Sequence, residues 1–365
     1  MRNLARLGWG GFFQEQIAND APQPQVARII EEQRGAYRVA GDFEGWAEVS
    51  GKFRHDAQAT ADFPAVGDWV CVTPPRASED LSAKVERAVI TRRLDRRSTI
   101  SRKAAGRAVE EQVLAANVDT IFLVTALAED LNPRRLERYL TVVREAGAIP
   151  VVVLNKTDLS SDPEAQASAI RARLPFVDVL AISARHGVGL DVLTAYLSPA
   201  QTVALIGSSG VGKSTLVNRL VGHELLKTAE ISDVDGKGRH TTTARHLVEL
   251  PGGALLIDTP GMRELQPWVE ESSVAETFED IAELAQGCRF GNCAHQAEPG
   301  CAVLAAVERG KLTADRLDHF RHLGREIAFE ERKRDKSAAA GEKRRWKKIH
   351  QANKVMYRDR DKSSG

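Results

Sequence analysis

Residues 153–159 read VLNKTDL, a short apolar strand ending on the polar quartet Asn155-Lys156-Thr157-Asp158. Residues 207–214 read GSSGVGKS, a glycine-rich loop between the apolar run VALI and the helical stretch KSTLVNRL. The quartet comes first, 52 positions (207 − 155) ahead of the loop. Both are ligand-reading patterns at the ends of strands, so their order along the chain decides how the sheet beneath them is wired.

The loop is the more specific of the two. Gly207, Gly212, Lys213 and Ser214 fit G-x-x-x-x-G-K-[ST] in the required strand–loop–helix context. Glycines let successive backbone N–H groups turn inward onto phosphates, so Ser208, Ser209, Gly210, Val211 and Thr215 belong to the same cradle. The start of the following helix adds partial positive charge. Lys213 is expected to reach the β and γ phosphates, and the Ser214 hydroxyl a Mg²⁺ ion.

Downstream, LLIDTPG puts Asp258 at the end of a buried strand, 44 residues after Ser214, with Gly261 three positions on. An Asp in that place holds Mg²⁺ through water, and a glycine N–H can bond a γ-phosphate. Between them lies GRHTTTAR, where Thr242, among Thr241–Thr243, is the favoured second Mg²⁺ ligand. A plain polar loop is the alternative. Met262 follows Gly261, and Met cannot orient an attacking water. His240 is the nearest polar substitute in sequence, and it fits a structural role equally well.

The quartet then has a phosphate site to serve. The Asp158 carboxylate can accept both N1–H and the 2-amino group of guanine, which adenine cannot reciprocate. Lys156 can lay its stem over the ring, and Asn155 can brace the loop. AISARHG supplies Ser183 and Ala184, whose backbone can meet the guanine O6. Strand ends of this kind are where α/β sheets bind ligands.

Around these motifs the text is α/β from Asp119. TIFLVTAL (120–127), IPVVVLN, VDVLAISA, TVALIG and GALLIDTPG read as strands. Asn132 and Pro133 start a helix that Gly147 ends, with Leu136, Leu140 and Val143 on one face; a second helix covers 163–174. Alternation of this kind implies a parallel sheet with helices on both faces. Earlier, GAYRVAG, GWAEVSGKF, GDWVCVTP and KVERAVITRRL are short strand-like runs, suggesting a small barrel or sandwich. Residues 92–107 carry seven Lys/Arg in 16 positions, either a solvated linker or a nucleic-acid-binding edge.

Four ligand-type residues, Cys288, Cys293, His295 and Cys301, fall within 14 positions as C-x4-C-x-H-x5-C. Three thiolates and one imidazole complete a closed tetrahedral Zn²⁺ shell, as structural sites do. His319 and His322 lie at i,i+3 on a polar helix and read as a solvated face; Cys71, among apolar neighbours, reads as a buried small residue.

The 365 residues carry a net charge of +1, but residues 332–365 hold 13 Lys/Arg against 4 Asp/Glu, or +9, leaving −8 for the rest. Such a tail suits a polyanionic partner, or is simply solvated. No apolar run approaches the ~18 residues of a membrane span, and the first residues are not a secretion signal. The cysteine pattern fits a reducing cytosol.

The order base reader (155–158), Ser-Ala (183–184), phosphate loop (207–214), threonines (241–243), Asp-x-x-Gly (258–261) resembles a circularly permuted GTPase. GSSGVGKS, GRHTTT and DTPGMRE, with a β-rich stretch before and a Cys/His cluster after, resemble the RsgA or YjeQ family of small-subunit-dependent ribosome-assembly GTPases, over about residues 30–320. The resemblance implies a multidomain chain: an OB-fold β-barrel, an α/β circularly permuted P-loop GTPase and a small, mostly helical zinc domain. The expected spans are an N-terminal extension (1–29), barrel (30–100), basic linker (101–118), GTPase (119–272), zinc domain (273–330) and basic, partly disordered tail (331–365). It also implies GTP hydrolysis with Mg²⁺, one structural Zn²⁺, and the small ribosomal subunit with its rRNA as partner of a cytoplasmic monomer. The reading from a different class is a nucleotide-switched RNA-binding module with little catalysis. An ATPase is a weaker third, opposed by Asn155–Asp158.

Overall fold

A computed structural model describes residues 4–33, 35–75, 87–103, 111–127, 131–222, 245–258 and 277–327. The chain divides into two compact units, Met1–Lys103 with Glu111–Trp268, and Ala104–Glu110 with Val269–Gly365.

In the first unit, five strands make a closed barrel. They are β1 (Gln25–Gln33), β2 (Ala36–Gly41), β3 (Gly45–Val49), β4 (Trp69–Thr73) and β5 (Ala88–Arg93). Their order is β1-β2-β3-β5-β4, and β4 returns to pair with β1, which removes the open edges. A bulge between Ile29 and Glu31 lets β1 bend enough to serve two neighbours. The first strand therefore begins at Gln25, inside what the sequence suggests is an extension. The segment before it packs on the barrel: Phe13 and Ile17 are buried with Val26, Trp69, Cys71 and Leu94. The expected strand GWAEVSGKF stops at Val49, because Ser50 caps a helix, Gly51–Asp56, by accepting the Phe53 N–H.

The described parts of the expected linker 101–118 include strand. β6 (Thr99–Lys103) and β7 (Glu111–Ala116) form an antiparallel ribbon. The basic run ahead of it is largely spent inside the unit. Arg96 grips the buried Asp68 carboxylate with two bonds of 2.7 and 2.8 Å. Arg92 pairs with Asp20, Arg97 pairs with Asp119 at 3.2 Å, and Arg93 donates to the Asp62 and Leu94 carbonyls.

The GTP-motif region supplies β8 (Thr120–Ala126), β9 (Ile149–Asn155), β10 (Asp178–Ala181), β11 (Thr202–Ile206), β12 (Arg245–Glu249) and β13 (Leu255–Asp258). Their order in space is β10-β9-β8-β11-β13-β12, parallel except for β12. All seven residues of β8 are buried, as expected for a central strand covered on both faces. The crossover helix Pro133–Glu145 is capped by Asn132, which accepts the Arg135 N–H, and Gly147 follows at φ +76. The next, Pro163–Arg173, is capped by Asp162. The chain enters this sheet near its middle, at β8, runs out to β10, and returns to β11 beside β8. That wiring is the permuted order read from the motifs.

β12 also pairs antiparallel with β1, Glu31 opposite His246 and Glu32 opposite Arg245, so barrel and sheet are one continuous 11-stranded surface. Arg245 donates to Glu32 at 2.8 Å and to the Val113 carbonyl at 3.1 Å. Arg28 anchors the same junction. Its guanidinium is 1% exposed and donates to the carbonyls of Leu7, Gly67 and Asn117. Burial lowers its pKa to about 10, so it stays charged at neutral pH.

The second unit has helices Glu279–Ala285, Ala302–Glu308 and one over 314–327 around Phe278, Ile281, Val303, Ala306 and Leu323. Arg316 holds Asp280 through bonds of 2.6 and 2.7 Å and lies over the Phe278 ring. His319 differs from expectation. It is 4% exposed and packs edge-on against Phe278, so only His322, in a loose ion pair with Glu326, faces solvent. A polar-looking helix hides one apolar contact that periodicity does not reveal. Cys71 is buried. No described helix is long and apolar enough to cross a membrane.

Replacing Arg28 with Ala removes three hydrogen bonds to carbonyls at the barrel–sheet junction, of which the Gly67 carbonyl retains the Asn117 Nδ2 donor. Urea unfolding is expected to show a loss of about 3–5 kcal/mol; a loss below about 1 kcal/mol would contradict the assigned role.

Candidate nucleotide site and cysteine–histidine cluster

Because β8, β9, β10, β11 and β13 run parallel, their carboxyl ends share one edge of the sheet. Asn155 ends β9, Ser183 follows β10, the glycine loop follows β11, and Asp258 ends β13. Segments far apart in sequence are thereby gathered at one rim.

Asn155 joins them. Its side chain is 2% exposed. Nδ2 donates to the Val211 carbonyl at 2.8 Å, and Oδ1 accepts the Ala184 N–H at 2.9 Å. One amide thus holds the glycine loop, 56 residues away, and the Ser-Ala turn, 29 residues away. The glycine at 212 is required by this contact. A Cβ there would sit 2.3 Å from Asn155 Nδ2, and the backbone has φ +94, where side chains are strained.

Lys213 begins the helix Lys213–Val221 and donates from Nζ to the carbonyls of Gly207 and Ser208. Ser214 and Thr215 occupy the first turn of this helix, which carries no acidic residue, so its positive end is not offset locally. Ser208, Ser209, Gly210 and Val211 form the loop body, with Gly210 at φ +82.

In the quartet, Lys156 is left-handed at φ 61, which reverses the chain into a short 3-10 turn, Thr157–Leu159. Asp158 accepts the Ser183 hydroxyl, and His186 Nε2 is 3.6 Å from its other oxygen. The Ser183 hydroxyl holds the Asp158 carboxyl below the usual carboxylate range, so it is an acceptor only at neutral pH. The Ser183 and Ala184 N–H groups, expected to face guanine O6, are both engaged: Ser183 with the Val188 carbonyl at 2.9 Å, Ala184 with Asn155. Arg219, which sequence reasoning did not single out, reaches this turn from the phosphate-loop helix. It donates to the Ala184 carbonyl at 3.2 Å and the Arg185 carbonyl at 2.7 Å. Nothing local signals it, because its partners lie 34 and 35 positions away. Thr242, His240, Gly261 and Met262 lie outside the described residues.

In the other unit, the ligand atoms of Cys288, Cys293, His295 and Cys301 lie within 4.8 Å of one another. Sulfur of Cys288 is 3.8 Å from that of Cys301, and His295 Nδ1 is 3.7 and 3.4 Å from the two sulfurs. A tetrahedron with Zn–S near ~2.3 Å and Zn–N near ~2.0 Å has edges of about 3.8 Å between sulfurs and about 3.5 Å between nitrogen and sulfur. Cys288, His295 and Cys301 match those edges, and Cys293 lies within 4.8 Å of them. His295 presents Nδ1 from a left-handed backbone (φ 56), and Arg321 donates to its carbonyl. Glu298, also not foreseen, ties the loop together by accepting the N–H groups of Ala294, Gln296 and Ala297. These bonds, with one from its own backbone, hold its carboxyl down, to about 2.

A parallel sheet, a glycine loop leading into a helix, and an Asn-Lys-Thr-Asp quartet braced against that loop define a P-loop GTPase of permuted order. The RsgA GTPase family matches residues 93–268. A small ribosomal subunit biogenesis GTPase RsgA of Opitutus terrae is 46% identical, over 97% of this chain and 98% of its own length. Another of the same name, from Syntrophotalea carbinolica, is 41% identical over 98% of both. The chain belongs to the RsgA GTPase family. Among solved structures, YloQ, described as a circularly permuted GTPase, aligns with TM-score 0.58 at 26% identity, covering 86% of this chain and 98% of that one. YjeQ of Thermotoga maritima has the same fold: TM-score 0.62, 23% identity, 83% and 98% covered.

Proposed function

We propose that this GTPase hydrolyses GTP to GDP and phosphate on the small ribosomal subunit and thereby assists a late step of its maturation. The observation that carries the nucleotide part is the Asn155 amide, which braces the phosphate loop and the Ser-Ala turn together. Its relatives are named for small ribosomal subunit biogenesis, which supports the partner.

In this reading Asp158 accepts N1–H and the 2-amino group of guanine, and Lys156 covers the ring. The turn at 183–185 faces O6. Lys213, already seated against the loop carbonyls, supplies charge to the β and γ phosphates. The backbone of Gly207–Gly212 cradles them. Ser214, Asp258 and Thr242 would hold a Mg²⁺ ion, whose charge offsets that developing between the β and γ phosphates. A water attacks the γ phosphorus, and GDP leaves. Met262 provides no group to orient that water, so we assign slow intrinsic turnover, with His240 or the ribosomal partner completing the site.

Cys288, Cys293, His295 and Cys301 would hold one Zn²⁺, closed to water and therefore structural. The barrel and the basic tail are assigned to rRNA contact. The run at 92–107 contributes little to that contact, because four of its arginines are committed internally. The protein acts as a monomer in the cytoplasm.

Turnover is the direct test. Added small subunits are expected to raise the GTPase rate at least about tenfold, and Lys213→Ala to lower the stimulated rate at least about hundredfold. A rate indifferent to small subunits would contradict the partner; a fully active Lys213→Ala would contradict the phosphate-loop assignment. Metal analysis is expected to find one zinc per chain, lost in Cys293→Ser. Full retention of zinc by that variant would refute the ligand set.

A further inference from the structure

The turn that faces the base in the reading above has four backbone N–H groups, and three are taken. Ser183 gives its own to the Val188 carbonyl, Ala184 to Asn155 Oδ1, and His186 to the Ser183 hydroxyl. Among the described residues no acceptor takes the Arg185 N–H. It is the donor this turn can offer to a ligand.

What aims that donor is visible on the same peptide unit. The Arg185 N–H and the Ala184 C=O belong to one planar trans peptide and point in opposite directions. Arg219 Nε donates to that Ala184 carbonyl at 3.2 Å, and its Nη2 to the next carbonyl, of Arg185, at 2.7 Å. Gripping two successive carbonyls fixes the peptide plane between them. A cationic donor on the C=O also polarises the unit, which strengthens its N–H as a donor. On the other side, the Ala184 N–H is pinned by Asn155, so the plane cannot rotate to relieve either bond.

We propose that Arg219 is a positioning residue for base selection: from the helix that leaves the phosphate loop, it orients the Arg185 N–H toward the O6 of guanine. This inference rests on the base-reading assignment of Asp158. It makes base selection depend on a side chain of the phosphate-binding helix, and it moves the O6 contact from Ala184 to Arg185. The Arg219 guanidinium touches no nucleotide in this arrangement. Its effect passes through the peptide it holds.

The test compares GDP with 2-aminopurine riboside diphosphate, which keeps the 2-amino group but carries hydrogen in place of O6 and has no N1–H. The N1 difference is common to the native chain and the variant, so the loss caused by the substitution reports on O6. Arg219→Ala in the full chain is expected to weaken GDP binding about tenfold, the worth of one neutral hydrogen bond from the Arg185 N–H, while the analogue loses less than about twofold. Arg219→Gln, which restores one donor, is expected to recover part of the GDP loss. Equal losses for both nucleotides, or no loss for either, would overturn the inference. If Arg219→Ala does not fold, the Arg219→Gln comparison decides by the same ratio. A native chain that fails to prefer GDP over ADP at least about hundredfold would instead overturn the base-reading assignment itself.

Discussion

A single buried side-chain amide holds the carboxyl-end rim of the sheet together. Asn155 gives one bond to the phosphate loop and takes one from the Ser-Ala turn, with 2.8 and 2.9 Å geometry. Both bonds are inside the protein, where an orphaned amide group costs about 1–3 kcal/mol. Neither loop is therefore free to adjust without the other. Gly212 exists as glycine because the Asn155 amide occupies the space a Cβ would need. The rewired chain order matters little to such an arrangement. The sheet gathers the same strand ends at one rim, whichever loop joins them.

A second tie lies along the far edge of the sheet. β12, which follows directly on the threonine segment 241–243, is hydrogen-bonded to β13 on one side and to barrel strand β1 on the other. Arg245 reinforces the barrel side through Glu32 and Val113, and Arg28 fixes the junction at Leu7, Gly67 and Asn117. The barrel is thus a direct extension of the GTPase sheet. The start of β12, where His246 lies between Asp258 and Glu31, thus has a backbone connection into the barrel.

Much of this was legible in sequence. The glycine loop, the quartet and Asp258 carry strict spacing because backbone N–H groups, carboxylate pairs and strand ends impose it. Their order alone gave the permuted wiring of the sheet. The Cys/His spacing was readable for the same reason, since four donors must converge within a few ångströms. What could not be read depends on partners distant in sequence or on backbone groups. Arg92, Arg93, Arg96 and Arg97 look like a surface charge run, yet each is bound to groups within its own unit. His319 looks polar and is a core aromatic partner. Arg219 and Glu298 act on backbone groups, which leave no residue-type signature. β1 was partly missed because its bulge interrupts the alternation that marks a strand.

In the proposed reading the quartet reads guanine for the phosphate loop it is braced against. Exchanging Asp158 for Asn replaces one acceptor by a donor, which mismatches guanine and matches xanthine. The decisive measurement is equilibrium binding of GDP and xanthosine diphosphate to the native chain and to Asp158→Asn. GDP affinity is expected to fall at least about hundredfold while xanthosine diphosphate becomes the preferred ligand. An unchanged preference for GDP in Asp158→Asn would contradict that reading.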